Sequence, residues 1–152
     1  MQRHVSLRPL SRDHHGGLVH ARRLSRAADG GAAERRAAAD AFDRAWRAEI
    51  GEHFAEEERH LPPLLAGAAA SEAAARLLGE HADLRARAAI VRASAEPEAM
   101  RALGERLTEH IRWEERELFP LLERSLTEAQ LDALEIALAR GEQPGRVGGG
   151  ER

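Results

Sequence analysis

Two stretches of the sequence repeat a His-Glu pattern that can bind a cation. The first begins at His53 and reads HFAEEERHLPPLL, and the second begins at His110 and reads HIRWEERELFPLL. At a shift of 57 residues they agree at the His, at the Glu-Glu pair four residues later, at the next Arg and at the closing Pro-Leu-Leu. Because residues four apart share one face of a helix, His53 and Glu57 can converge on one point, as can His110 and Glu114.

A single pair at this spacing is more often a solvent-exposed ion pair than a metal site. Three features favour the metal site here. The pair occurs twice, at equivalent places in two halves of the chain. Helical periodicity places His14 near the middle of one apolar stripe and His81 at the edge of another. Leucine and isoleucine residues surround the face that His110 and Glu114 share, which predicts that both point inward.

Burial of these imidazoles and carboxylates requires a partner, because an unpaired charged group costs several kcal/mol to bury. Imidazole and carboxylate together suit iron, manganese or zinc, and a carboxylate can bridge two cations. A metal-free hydrogen-bond network is the less favoured explanation. The predicted ligands of a two-cation site are His14, His53, Glu57, His81, His110 and Glu114.

Several neighbouring residues compete for a role in this site. His15 is the rival of His14, which periodicity favours. His60 and Glu117 each follow the first His of a repeat by seven residues, so either can be an extra ligand, a pocket residue or plain surface. Three further glutamates are expected to be outward-facing charges or partners of the arginines beside them: Glu56, Glu58 and Glu115.

The elements that position these residues are predicted to be helices. Ala, Leu, Arg and Glu dominate, and clusters of β-branched and aromatic residues do not occur. The expected helices run from Ser11 to about Ala28, from about Ala32 to Pro62 with a bend at Gly51, from about Ser71 to Ser94, from Pro97 to about Leu118, where Pro120 ends the helix, and from Thr127 to about Arg140. This order predicts an all-α, up-down-up-down four-helix bundle with a short C-terminal fifth helix.

Length and composition narrow the function classes. The 152 residues suit one domain, expected at residues 8–140, followed by a Gly-rich polar tail at 141–152 that is expected to be disordered. With no cysteine, thiolate metal sites and disulfides are excluded. All 23 basic residues are Arg, and the net charge of -3 argues against nucleic-acid binding. The sequence has no long apolar run and no signal-peptide pattern, so we expect a cytoplasmic protein that does not bind membranes.

The repeats, with DHH at Asp13–His15 and EHADL at Glu80–Leu84, resemble the hemerythrin-like HHE cation-binding domain over about residues 8 to 124. The resemblance implies a four-helix bundle with two iron ions, bridged by oxide or hydroxide; manganese or zinc are alternatives. It implies terminal imidazoles from His14, His53, His81 and His110, with Glu57 and Glu114 as bridging carboxylates.

This sequence departs from the oxygen-carrying hemerythrins. Those proteins have a second His one turn after the ligand of helix 3, where this sequence has Arg85. They also have an Asp five residues after the helix 4 His, where this sequence has Glu114 four residues after it. The site is therefore closer to relatives associated with redox, nitric oxide or peroxide chemistry and iron homeostasis, and dedicated oxygen transport is disfavoured.

The sequence leaves two hypotheses about function. The first is a di-iron protein that binds or reacts with O2, NO or peroxide in redox or nitrosative stress or iron homeostasis, with enzymatic turnover left open. The alternative is a metal-stabilised helical interaction module that uses helix 5 or the tail as its contact. Helix 5 can cover the end of the bundle or form a homodimer contact, and the sequence does not decide between these.

Overall fold

The computed structural model describes residues 2–142, and all regular structure in that range is helical. A 3₁₀ turn at Val5–Leu7 leads into α1 (Arg8–Ala27); α2 (Ala32–Ala45) continues through a π-helical turn at Trp46–Ile50 into α3 (Gly51–His60), which a 3₁₀ turn at Pro62–Leu64 follows. Then come α4 (Ala68–Ser94), α5 (Pro97–Trp113), a second π-helical turn at Glu114–Leu118, α6 (Phe119–Ser125) and α7 (Glu128–Glu142). Within the described residues, these segments join into five continuous helical rods, so the predicted all-helical class is confirmed.

The first helix begins earlier than predicted. It starts at Arg8 rather than after Ser11, with Pro9 in its first turn, where the missing N–H of proline is not needed. The Ser11 hydroxyl donates a hydrogen bond to Glu115 and does not cap the helix. α4 also starts early, at Ala68, after Gly67 with a φ of 93°. In both helices, a proline or a glycine that precedes the serine expected at the start marks the actual start: Pro9 before Ser11, and Gly67 before Ser71.

The prediction that Pro120 ends the fourth helix is wrong. The helix continues to Ser125 because the π-helical turn shifts the hydrogen-bonding pattern just before the proline. The Phe119 amide donates to the Glu114 carbonyl, five residues back, and Pro120 then lies in the first turn of α6. There its missing N–H and fixed φ fit a helix start.

The predicted capping box of the fifth helix is confirmed. The Thr127 hydroxyl oxygen accepts from the Gln130 amide at 3.1 Å, and the Gln130 side-chain oxygen accepts from the Thr127 amide at 2.9 Å. α7 ends at Glu142, so the first two residues of the predicted tail are helical. Residues 143–152 of that tail lie outside the described part of the chain.

Two apolar clusters fill the interior, and the predicted ligands lie between them. One cluster contains Phe42, Phe54 and Met100, and the other contains Leu61, Trp113 and Phe119. Each inward histidine lies along its helix between a residue of one cluster and a residue of the other. The flanking pairs are Leu10 and Ala21 for His14, Ile50 and Leu61 for His53, Leu77 and Leu84 for His81, and Leu107 and Trp113 for His110. The histidines therefore form a polar layer between the two apolar clusters.

α7 covers the second cluster from outside the four longer rods. Its residues Leu134 and Leu138 are buried in that cluster, and Leu131 is also buried, whereas Ile136 is exposed. Of the two roles proposed for this helix, covering the bundle is therefore the one seen within the chain. None of the helices in residues 2–142 combines the length and the apolar composition needed to cross a membrane.

Two glycine substitutions test the close contact between α1 and α5. Gly104 of α5 lies at that contact, and Gly79 of α4 is the control. A Cβ at Gly104 would overlap the Ser25 hydroxyl and lie 2.8 Å from the Ala21 carbonyl oxygen, so Gly104→Ala forces the helices apart. We expect a loss of about 1–3 kcal/mol in the free energy of unfolding. A Cβ at Gly79 would meet no described atom within 4 Å, so Gly79→Ala is expected to stabilise the protein by about 0.5–1 kcal/mol. Urea denaturation measures both, and stabilisation by both substitutions would contradict the close contact.

Candidate metal centre

The structure brings all six predicted ligands into one buried layer. His14 comes from α1, His53 and Glu57 from α3, His81 from α4, His110 from α5 and Glu114 from the second π-helical turn. Each has at most 8% of its surface exposed, and Glu57, His81 and Glu114 have none. Six polar side chains at this depth need an explanation.

The two carboxylates each span the layer. Oε2 of Glu57 lies 3.1 Å from Nε2 of His53, and its Oε1 lies 3.1 Å from Nε2 of His81. Oε1 of Glu114 lies 2.8 Å from Nε2 of His14, and its Oε2 lies 3.2 Å from Nε2 of His110. Each carboxylate therefore directs one oxygen to one pair of histidines and the other oxygen to the other pair.

This arrangement divides the donor atoms into two groups that share both carboxylates. One group is His14, His53, Glu57 and Glu114, and the other is Glu57, His81, His110 and Glu114. Within each group the donor atoms lie within 4.8 Å of one another. Two ligand atoms held at right angles about 2.1 Å from one cation are about 3.0 Å apart, close to the shorter separations seen here. The geometry thus pairs His14 with His53 and His81 with His110, which the sequence left undecided.

Most of the inward atoms lack hydrogen bonds. Among the described residues, the buried side-chain atoms without a hydrogen-bond partner include Nε2 of His53, His81 and His110, both oxygens of Glu57 and Oε2 of Glu114. These atoms approach one another closely but not in hydrogen-bonding geometry. Buried polar groups are normally satisfied, so this concentration of unsatisfied donors and acceptors fits a cation at each group.

The outer nitrogen of each histidine contacts a carboxylate from another helix. The pairs are Asp13 with His53 (2.9 Å), Glu58 with His81 (2.7 Å), Glu80 with His110 (2.7 Å) and Glu115 with His14. The contacts form a closed ring, because α1 supports α3, α3 supports α4, α4 supports α5, and the turn after α5 supports α1. An Nδ1–H that donates to a carboxylate fixes the tautomer and leaves Nε2 free to bind a metal.

Arginines donate hydrogen bonds to the outer carboxylates Glu58, Glu80 and Glu115. Arg85 donates two hydrogen bonds to Glu58, at 2.7 and 3.1 Å. Arg76 donates to Glu80 and Arg3 donates to Glu115. Arg85 stands where oxygen-carrying hemerythrins have a further ligand, and here it positions the carboxylate that holds His81.

Sequence reasoning missed these outer carboxylates as parts of the site. Glu58 and Glu115 were expected to face outward or to pair with the arginines beside them; Glu58 pairs instead with Arg85 on another helix. Two signals were present in the sequence. Asp13 and Glu80 directly precede the histidines of α1 and α4, and the second Glu of each Glu-Glu pair follows a predicted ligand.

Protons and carboxylates balance charge in the cluster itself. Burial lowers the pKa of His14, but hydrogen bonds to Glu114 and Glu115 outweigh it and raise that pKa to about 9. Burial also opposes charge on His110, yet the charge of Glu114 outweighs it and the pKa rises to about 10. Burial acts to raise the pKa of Glu114, but the charge of His110 dominates and holds that pKa well below its usual range. A cation that binds here therefore displaces protons from the imidazoles.

The competing residues lie outside the two donor groups. His15 is exposed, whereas His14 is buried within the cluster. His60 pairs with Glu56 at 3.3 Å, and Glu117 is exposed. Trp113 packs against the ring of His110, with centroids 5.9 Å apart, and screens that side of the layer.

The family model of the hemerythrin HHE cation binding domain matches residues 7–122. The chain belongs to this family. Neither the curated proteins nor the solved structures give a match. In this hemerythrin-family chain the matched range contains all six inward side chains and all four outer carboxylates, but it ends before α7.

A cavity of about 270 Å³ connects the metal centre of this hemerythrin-family chain to the surface. It touches His14, His53, His110 and Glu114, but not His81. The ring of Phe54 stacks on His81 with centroids 3.9 Å apart and covers that side. The cavity therefore favours access to the group that contains His14 and His53.

An outer carboxylate offers a direct test of the ring. Glu80→Gln keeps the size of the side chain but removes the charge that holds His110, so we expect metal affinity at that group to fall about 10- to 100-fold. The matched control is Glu109→Gln, since Glu109 is exposed beside His110. Competition with a chelator measures the affinity. Equal affinities for the two variants would show that the Glu80 contact does not tune the site.

Proposed function

We propose that this hemerythrin-family chain holds two iron ions, one at each donor group, and binds or reacts with a small ligand such as O2, NO or peroxide. The observation that carries the proposal is the pair of four-atom donor groups that share Glu57 and Glu114. Mixed nitrogen and oxygen donors suit iron, and manganese or zinc are the alternative ions.

Each donor group leaves its cation incompletely coordinated by protein. Four protein atoms are available per group, whereas an octahedral iron takes six ligands. A bound iron supplies redox chemistry and replaceable coordination positions. The cavity supports exchange at the group that contains His14 and His53, because a small molecule can reach that group through it.

The protein residues shape the surroundings of that position. Leu10, Ile111 and Phe54 line the cavity with apolar surface, which limits the water around a bound ligand. The outer carboxylates hold the imidazoles by Nδ1, so Nε2 faces the donor groups. Glu114 contributes one oxygen to each group, so charge at one group acts on the other through a shared side chain.

The finer assignments belong to the same proposal. We infer an up-down-up-down arrangement of the four longer rods from their short connections, with α7 added outside it. We also propose that the protein is cytoplasmic and acts in redox or nitrosative stress or in iron homeostasis. It is further proposed to form a homodimer and to bind neither nucleic acid nor membranes. Assays of peroxide consumption and of NO-induced spectra, described below, also measure whether the protein turns over peroxide or NO enzymatically.

The interaction-module alternative has less support. Its expected contact surface is α7 or the tail, but three leucines of α7 are buried within the chain, and residues 143–152 of the tail lie outside the described part. A module stabilised by metal has no need of a cavity that reaches the donor atoms. The cavity therefore favours ligand binding over a purely structural metal.

Metal content is the first test. Protein purified without a metal-binding tag is analysed for its elements, and its visible spectrum is recorded in air and after azide addition. About two irons per chain, with charge-transfer bands that azide changes, support a site with a replaceable position. Peroxide consumption and NO-induced spectra then separate catalysis from binding. If the protein takes up no metal, even on anaerobic addition of iron, the proposal is overturned.

A further inference from the structure

The C-terminal helix forms one wall of the cavity that reaches the metal centre. Leu138 and Gly141 of α7 line this cavity together with His53 and Glu56 of α3. α7 begins at Glu128, beyond residue 122, where the family match ends. The wall is therefore contributed by a segment that the family match does not include.

Two contacts place this wall beside the cavity. Leu138 is only 2% exposed and packs in the apolar cluster that contains Leu10 and Leu61. Near the end of the helix, a Cβ at Gly141 would overlap Oε1 of Glu56 and lie 2.9 Å from Cδ of that residue. Oε1 and Cδ belong to the flexible end of the Glu56 side chain, so the contact places Gly141 beside Glu56 without fixing the backbone of α7. The position of the wall thus depends on the buried Leu138.

The cavity that this wall limits is small and mixed in character. Its volume is about 270 Å³, and its lining is mostly apolar, with the exposed acids Asp13, Glu49 and Glu52 among the lining residues. Neutral probes report the size of this cavity without the repulsion that these exposed carboxylates exert on anions. The size of the cavity then becomes the property that selects among neutral ligands.

We propose that Leu138 is a specificity-determining residue that sets the largest molecule able to reach the group of His14 and His53. This inference rests on the proposed function, since it needs a bound cation with a replaceable position. Shortening Leu138 enlarges the cavity directly.

The experiment compares two neutral probes that share a donor atom but differ in size. Protein loaded with Co²⁺ is titrated with imidazole and with 4-phenylimidazole, and the visible spectrum gives a Kd for each. We expect the native protein to prefer imidazole, and Leu138→Ala to shift the ratio of the two Kd values at least about tenfold toward the larger probe.

Leu131→Ala is the matched control. Leu131 is the same residue type in the same helix and is equally buried at 2%, but it does not line the cavity. It reports the effect of destabilising α7 alone, so its ratio is expected to stay at the native value. Leu138→Val is a milder truncation at the same position and is expected to shift the ratio in the same direction as Leu138→Ala, which keeps the test valid if Leu138→Ala does not fold.

The outcomes separate this inference from the proposed function. Binding of both probes with an unchanged ratio in Leu138→Ala and Leu138→Val overturns the role of the wall and leaves the proposed function standing. An equal shift in Leu131→Ala also overturns it, because a general loosening of α7 is then sufficient. A Co²⁺ spectrum that neither probe changes overturns the replaceable position, and the inference with it.

Discussion

Glu114→Ala is expected to remove both metal ions from the protein. Glu114 directs Oε1 to His14 and Oε2 to His110, so its loss takes one donor from each group. It also leaves His14 and His110 without the carboxylate that they share, and unpaired buried charge is costly. We expect iron content to fall from about two per chain to near zero, measured by elemental analysis after anaerobic loading.

His53→Ala is the comparison variant for this prediction, because it removes a donor from one group only. Nε2 of His53 lies 3.1 Å from Oε2 of Glu57, and this histidine belongs to one donor group only. We therefore expect this variant to keep about one iron, at the group of His81 and His110. Equal losses in the two variants would contradict the assignment of Glu114 as the shared ligand. Glu56→Ala, next to Glu57 but outside both donor groups, should keep the native iron content.

The stability of the metal-free protein is expected to fall as the pH rises above 6.5. The pKa of His14 rises from 6.5 to about 9 in the folded protein, because its bonds to Glu114 and Glu115 outweigh burial. The pKa of His110 rises from 6.5 to about 10 for a similar reason. A raised pKa contributes stability that is complete below 6.5 and lost as the pH passes the folded value. The loss between pH 6.5 and 10 is on the order of a few kcal/mol.

Two carboxylates act in the opposite direction at acid pH. The pKa of Glu115 falls from 4.5 to about 2, since its contacts with His14 and Ser11 outweigh burial. The pKa of Glu114 also lies well below 4.5. Their stabilisation is present above pH 4.5 and is lost as the pH falls further. The metal-free protein should therefore be most stable between about pH 4.5 and 6.5.

The metal-loaded protein should show the opposite trend above pH 6.5. A metal ligand must be a neutral imidazole, so metal binding competes with the protons on His14 and His110 and strengthens as the pH rises. Thermal unfolding of both forms across pH 5 to 10 measures this. The two melting temperatures should separate steadily with pH, and parallel curves would count against imidazole ligation.

The candidate ligands could be predicted from the sequence because helical periodicity fixes which residues share a face. His53 with Glu57 and His110 with Glu114 follow from a spacing of four residues, and the repeat doubles the signal. The five helical rods follow from composition and from start and stop signals, such as the Thr127 capping box. These are local properties, and local properties are what sequence patterns carry best.

The features that the sequence did not reveal depend on contacts between distant residues. The pairing of His14 with His53 depends on how the helices cross, and the bond between Glu58 and Arg85 joins residues 27 positions apart. The continuation of the helix through Pro120 requires a π-helical turn, which no composition signal announces. Such features arise when the bundle packs.

The ring of outer carboxylates ties metal loading to the order in which the chain is made. Removing any one of the four ring-forming segments breaks two contacts, because each segment gives a carboxylate to one neighbour and a histidine to another. The ring closes only when Glu115 contacts His14, which lies 101 positions earlier in the chain. A growing chain on the ribosome therefore cannot assemble the complete centre before residue 115 has emerged. The light absorption of a bound metal would therefore report completion of the whole bundle, and not the formation of α1–α3 or of α4–α6 alone.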